Sequence, residues 1–408
     1  MDLSLRIALI PFLLITFYRT VQSGRYWLET FDATNLADWL INYQGGFVRR
    51  GLIGEALFQI HLWTQIDVGL LATSLQLTVY FTYFLLAGLI LLRTRSIASY
   101  WLIIFSPFLF RFQLQGHGGG FRKEILFFAL FAILTYASIN FSHKVFRWIF
   151  WGILLVYPAV VLSHEMLILL LPYFIILYLI RIGFERQGFL WVSLGSSLSL
   201  LAFGLALTYK GEPSHAIAIC HSIGIERVAG CTTPGASAIG WIGASVSDVA
   251  MGTKSNLENS GYMVRYSLSI VAAAIAYWPF RRSLKFLVTQ WLPGLLFWSS
   301  IMGTGLLFSV AHDWDRFLYM HLVAIFFLAL AAQNQADPPQ KITRLLRQGL
   351  EKGMSQKLKV RNWSGVLGLA MLIFLYAKTW YIGSCCTGQP GALPLSPFGV
   401  DLMNVFQP

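Results

Sequence analysis

Charge is scarce in this chain of 408 residues: Asp, Glu, Lys and Arg together make up 12% of it. A soluble protein carries about twice that fraction. The deficit excludes an ordinary water-soluble fold, and 56% hydrophobic residues with a mean hydropathy of +0.63 agree. Internal repeats, low-complexity tracts and any polar stretch of domain length are also missing, so residues 1–408 read as a single membrane domain. The glycine run Gly116–Gly120 lacks the Gly-Lys-Ser/Thr that closes a P-loop, which speaks against nucleotide chemistry. His164-Glu165 begins like a zinc-protease helix, but no second histidine follows one turn later, and that metal site is excluded.

Apolar runs near membrane-spanning length take the place of these features. They fall at 5–21, 68–92, 97–110, 125–142, 148–162, 166–180, 189–208, 262–279, 286–310, 317–332 and 363–381. The expected fold is an all-α, polytopic transmembrane bundle of about eleven spans. The first run has no small-residue cleavage site after it and reads as a retained span rather than a signal peptide.

A net charge of +12 does not imply a nucleic-acid partner here, because basic residues of integral membrane proteins mark cytoplasmic loops. With the N-terminus inside, the cytoplasmic segments hold Arg6, Arg93, Arg95, Lys144, Arg147, Arg181, Arg186, Arg281, Arg282, Lys285 and a basic loop at 333–362. Asp2, Glu185, Asp337 and Glu351 are the acids on that side. The expected orientation is therefore N-terminus cytoplasmic, with the opposite face carrying the chemistry.

That outer face is where the unusual residues collect. The first outer loop, 22–67, holds Asp32 and Asp38, then Gly45-Gly46-Phe47-Val48-Arg49-Arg50-Gly51-Leu52-Ile53-Gly54-Glu55. Its apolar segment Leu52 to Trp63 is too short to span and predicts an interfacial helix. Residues 115–124 bring His117, Arg122, Lys123 and Glu124, and a tight corner brings His164 and Glu165. The large outer loop 209–261 carries Cys220 and Cys231, whose spacing suits a disulfide in an oxidising compartment. Cys385 and Cys386 fall on the same side, so three pairings stay open. His312, Asp313, Asp315 and Arg316 complete the set.

Glycines let a backbone approach closely, and paired arginines offer a planar forked grip on phosphate or carboxylate. The plainer alternatives are arginines touching lipid headgroups, and Glu124 or Glu165 pairing with sequence neighbours (Arg122 and Lys123, or His164) to pin helix ends. A substrate present at an outer membrane surface fits the charged residues better. A polyprenyl-linked sugar lies in the bilayer with its phosphate at the interface. Arg49, Arg50, Arg122, Lys123 and Arg316 are candidates for that phosphate, and Asp38 or Asp32 for the base that deprotonates an acceptor hydroxyl. Glu55, His117, Glu124, His164, Glu165, His312, Asp313 and Asp315 are expected to line the cavity. Trp39, Tyr43 and Trp314 are candidates for stacking on sugars. No cofactor is required; Asp313-x-Asp315 admits a divalent cation, with pairing to Arg316 or a helix cap as the simpler use.

This layout resembles the GT-C glycosyltransferases: many spans, a long acidic first outer loop and charged motifs on one face. The resemblance covers the whole chain as architecture. It implies an inverting transfer from a polyprenyl-phosphate or -diphosphate sugar to a glycan or lipid acceptor, with a catalytic carboxylate in the first outer loop. By position that carboxylate is Asp38 or Asp32, and Asp38 leads directly into the glycine–arginine stretch. Gly45–Gly51 also resembles a stretch of bacterial membrane proteins associated with surface polysaccharides, implying a bacterial inner membrane with the active face periplasmic. Two other functions compete. An O-antigen-type polymerase or ligase usually has arginines in large outer loops, whereas 209–261 has only Lys210, Arg227 and Lys254. A transporter or flippase would show repeats, interrupted helices and midplane charges. Membrane lipids are partners in every case; the sequence carries no sign of oligomeric state.

Overall fold

The computed structural model describes residues 2–334 apart from 95, 116–119, 243, 260, 261, 310 and 312, and residue 368 beyond them. His117, His312, the loop 333–362 from residue 335 on, Cys385 and Cys386 lie outside the described residues, as does the expected span 363–381 save residue 368. Within them the chain is all helix and connection, with no strand.

The longer helices include α1 (Asp2–Glu29), α2 (Leu52–Thr64), α3 (Val68–Arg93), α4 (Glu124–Asn140), α5 (His143–Ser163), α6 (Leu171–Ile182) and α7 (Arg186–Thr208). They continue with α8 (Pro213–Ile223), α9 (Tyr262–Tyr277), α10 (Trp291–Leu307) and α11 (Trp314–Asn334). Six helical segments are long and apolar enough to cross a membrane. These are Leu5–Glu29, Val68–Arg93, His143–Ser163, Glu165–Ile182, Arg186–Thr208 and Trp314–Asn334, with Glu124–Asn140 and Trp291–Leu307 as shorter apolar helices. Six full-length candidates are thus present among the described residues.

The expected span 97–110 is broken, and proline chemistry explains why. Ile97–Tyr100 forms a 3₁₀ turn and Trp101–Phe105 a five-residue helix, which stops at Ser106. Ser106 precedes Pro107, whose ring pushes the preceding residue out of the helical region, and Ser106 is extended with ψ 164°. The Ser106 hydroxyl donates to Ile103 O at 2.8 Å and accepts from the Phe108 N–H at 3.2 Å. Ile103, Ile104, Phe105, Phe108, Leu109 and Phe110 are all buried, so the irregular backbone is shielded by protein. The span expected at 286–310 is likewise divided at Gln290, between Phe286–Thr289 and α10. The one at 262–279 ends at Tyr277 and tightens into the 3₁₀ turn Trp278–Leu284, whose second residue is Pro279.

Helix α11 is the centre of the packing. Nearly every residue from Asp315 to Ala332 is buried, and α4, α6 and α9 lie against it. A helix apolar and buried on all sides is a core helix. Its His321 ties three helices together: Nδ1 lies 2.7 Å from Tyr173 Oη on α6, and Nε2 lies 2.8 Å from Thr304 Oγ1 on α10. Around this core α1 packs along α3, α3 against α4, and α5 along α7.

Polar contacts define the two ends of the bundle. At one end Arg6 donates to the carbonyls of Leu92 and Thr94, Arg147 pairs with Glu185, and Tyr100 Oη donates to Gln333 Oε1. The other end holds residues 30–67, 121–124, 163–165, 209–242 and 313–316. The helix expected over Leu52 to Trp63 is present as α2. It packs against the 3₁₀ turn Ala37–Leu40, and Gly54 makes that approach possible: a Cβ there would sit 1.9 Å from Ile41 O.

Candidate functional site

Charges from four separate connections converge at the second end of the bundle. Arg50 grips Glu165 with three hydrogen bonds: Nε to Oε2 at 2.9 Å, Nε to Oε1 at 3.0 Å, and Nη2 to Oε1 at 2.7 Å. Arg49 Nη1 lies 3.7 Å from the same carboxylate, and its Nη2 reaches Trp241 O at 3.5 Å. Lys123, fully buried, donates from Nζ to Arg50 O at 2.9 Å. Arg316 bridges two acids, with Nε 3.2 Å from Glu124 Oε1 and Nη1 3.0 Å from Asp313 Oδ2. His164 Nε2 approaches Glu124 Oε1 at 3.4 Å.

Asp38 sits in the middle of this set and is 1% exposed. Arg122 Nη1 is 3.9 Å from its Oδ1 while also donating to Thr34 O at 2.9 Å. Asp38 Oδ2 is buried and accepts no hydrogen bond. Burial alone would raise the Asp38 pKa, but Lys123, Arg122 and Arg50 outweigh it and hold the group down at about 2. The carboxylate is thus ionised with one buried, unpartnered oxygen. Burial pushes the Lys123 ammonium down to about 8, against the pull of Asp38. Burial also drives His164 well below its ordinary value, so its ring is neutral at pH 7, and its Nδ1 is a second buried atom without a partner. Glu165 keeps the Arg50 guanidinium charged in spite of burial.

The backbone under these groups is strained and heavily braced. Arg50 has φ 68° and Phe121 has φ 55°, a region costing a non-glycine residue roughly 1–3 kcal/mol. Lys123 and Glu165 fix Arg50 from both sides. Phe121 O accepts from Trp39 Nε1 at 2.7 Å and Gln76 Nε2 at 3.3 Å, and Tyr80 Oη meets the Phe121 N–H at 3.2 Å. Gln76 and Tyr80 stand one turn apart on α3. They escaped the sequence reading, although a glutamine inside an apolar span was the available signal.

Not every expected residue joins the cluster. Asp32 Oδ1 accepts from the Thr34 N–H at 2.9 Å, Thr34 Oγ1 at 2.8 Å and the Asn35 N–H, so it organises the local turn. Glu55 accepts from the Tyr43 N–H at 2.9 Å and from Gln59 at 2.7 Å, with Gln44 at 3.3 Å, and orders the glycine–arginine stretch from α2. Asp315 is buried in the first turn of α11. Trp39, expected to stack on sugar, is fully buried, and Trp314 is sandwiched between Phe308 and Tyr266 with its Nε1 on Phe308 O. Neither is open to a ligand.

Residues 209–242 form a strap over residues 30–67. Cys220 and Cys231 form a disulfide, the pairing their spacing suggested. From this strap Tyr209 O accepts the Arg49 N–H at 2.9 Å, Ser222 Oγ accepts from Asn42 at 2.9 Å, and the Ala238 N–H donates to Ala33 O at 2.8 Å. Arg227 pairs with Asp67 at 2.7 Å and covers the Phe31 ring. Among the described residues no group of three or more His, Cys, Asp or Glu is arranged to hold a metal ion. No protein-family model matches this chain, and no curated protein or solved structure matches it.

Proposed function

We propose that this chain is a glycosyltransferase that moves a sugar from a polyprenyl-(di)phosphate donor to a glycan or lipid acceptor at the outer face of a cytoplasmic membrane. The observation that carries the reading is Asp38: an ionised, buried carboxylate with an unpartnered oxygen, ringed by Lys123, Arg122 and Arg50. A general base needs an available oxygen, and a departing phosphate needs nearby positive charge. In the transfer, the acceptor hydroxyl gives its proton to Asp38 Oδ2 as its oxygen bonds to the sugar's anomeric carbon. The bond from that carbon to the phosphate oxygen breaks, and the phosphate leaves with the electron pair.

The cations divide by how firmly they are held. Arg50 and Arg316 already bind carboxylates at 2.7–3.2 Å and frame the site. Arg49 is held at 3.7 and 3.5 Å with its side chain a quarter exposed, and is the arginine best placed to turn towards donor phosphate. The orientation is part of the proposal. Arg6, Arg93, Lys144, Arg147, Arg181 and Arg186 gather at the opposite end, which the positive-inside rule makes cytoplasmic.

The test is the lipid-linked and surface glycan profile of a deletion strain complemented with wild type or Asp38→Asn. Loss of one sugar, restored by wild type alone, is the expected result. Full-size repeat units left unpolymerised would make the protein a polymerase or ligase. The broken passage at Ser106-Pro107 favours a transporter, in which interrupted helices are common; accumulation of an intact lipid-linked sugar on the cytoplasmic side would establish that role. An unchanged profile would end the glycosyltransferase reading.

A further inference from the structure

Beside the charged cluster lies a group of rings that the reaction outlined above does not use. Phe47 is 36% exposed and Tyr209 49%, and their rings meet edge-on at 5.2 Å. Tyr43 also packs against Phe47, with the ring centroids 5.0 Å apart. The three come from both outer loops and are joined through the Arg49 N–H to Tyr209 O bond, two residues from Phe47. Tyr43 is fixed from below by Glu55 on its N–H and by Gly51, where a Cβ would stand 2.3 Å from the ring.

The surroundings of the rings are polar. Gln44 is exposed next to Tyr43 and shares the Glu55 carboxylate. His215, the N3 residue of α8, comes up against the neighbouring Gly45-Gly46 turn. Apolar rings fringed by amide, carboxylate and imidazole groups suit a ligand with one apolar C–H face and a rim of hydroxyls. A saccharide has that construction. A lipid chain would leave the polar fringe unmatched.

Resting on the glycosyltransferase reading, we propose that Tyr43, Phe47 and Tyr209 form the acceptor subsite and that the acceptor is a saccharide. A sugar ring stacked on Phe47, with Tyr209 standing at 90° to that ring and meeting its flank, lies beside Arg49 and Arg50, at the rim of the cluster that contains Asp38. Of the aromatics expected to stack on sugar, Trp39, Tyr43 and Trp314, the proposal keeps Tyr43 and puts Phe47 and Tyr209 in place of the two tryptophans.

The experiment is binding of the full-length protein, held in lipid nanodiscs, to an array of immobilised oligosaccharides. Wild type, Phe47→Ala, Tyr209→Ala and Asp38→Asn are compared. Wild type and Asp38→Asn should retain the same subset of saccharides, and each ring variant should bind about tenfold more weakly. Because both rings are exposed, these variants fold, which thermal melting checks. Retention by no saccharide, or retention equal in the ring variants and wild type, overturns the subsite. Equal retention with loss of co-purifying lipid would do so by making the rings an interfacial belt. Binding that follows the ring variants while no sugar is ever transferred would support the saccharide site and defeat the glycosyltransferase reading, so the two fail separately.

Discussion

Replacing Arg50 by Met and Glu165 by Leu, singly and together, measures how far ion pairing holds the site in shape. The pair makes three contacts of 2.7–3.0 Å, with side chains 25% and 10% exposed. Removing one partner strands the other charge in a poorly solvated setting, at a cost of about 3–5 kcal/mol. Glu165→Leu should be the costlier single change, because it also strips Arg49 of the carboxylate 3.7 Å away. Removing both partners leaves two apolar side chains, so the double variant should recover much of the loss. The expected coupling is at least about 2 kcal/mol. Lys123 bonds to the Arg50 carbonyl, so that contact survives in all variants. Equilibrium unfolding in mixed micelles with increasing SDS gives the four stabilities of the cycle. Additivity to within about 0.5 kcal/mol would refute the pair as a structural unit.

Three further outcomes follow from the geometry. Asp38 has an ordinary value of 3.8 and a folded value of about 2, so its contribution is complete above pH 4 and lost as pH falls towards 2; acid unfolding of wild type should show a component of roughly 2 kcal/mol that Asp38→Asn lacks. Gly54→Ala forces a Cβ to 1.9 Å from Ile41 O and should cost ~3 kcal/mol or more, whereas Gly204→Ala, with open space around it on α7, should leave thermal melting unchanged or slightly raised. Reducing the Cys220–Cys231 bridge, which closes a separation of 11 residues, should destabilise the strap by about 3 kcal/mol, and proteolysis confined to residues 209–242 with and without reductant checks it.

The membership of the site was largely legible in the sequence, because charge in an apolar chain is rare enough to mark itself. Asp38, Arg49, Arg50, Arg122, Lys123, Glu124, His164, Glu165, Asp313 and Arg316 were named from residue type and side of the membrane, and they meet at one end of the bundle. Their partnerships were not legible. The plainer alternative to a cavity paired Glu124 with Arg122 and Lys123, and Glu165 with His164, their chain neighbours. Adjacent residues on a helix or turn point in different directions, so the partners come from elsewhere. Glu124 takes Arg316 and His164, and Glu165 takes Arg50, 115 residues away. Apolar runs likewise located the helices but not their breaks. Ser106 leaves the helix because of the proline that follows, and hydropathy is blind to that stop. Trp39 and Trp314 show the same blindness in side chains: an aromatic on the outer face reads the same whether it is open or packed.

Sequence distance within the cluster has a consequence for biogenesis. Asp38 and Arg50 leave the ribosome early, while Trp241 is 192 residues beyond the Arg49 it contacts and Arg316 belongs to one of the last described helices. Residues 49 and 50 precede Glu165 by more than a hundred residues and their strap by more than 150, and Glu124 is made long before Arg316 arrives to pair with it. The site can therefore be completed only once α11 joins the helices that precede it in the chain. Chains halted before Trp314 should present their first loop to proteases, and completed chains should hide it.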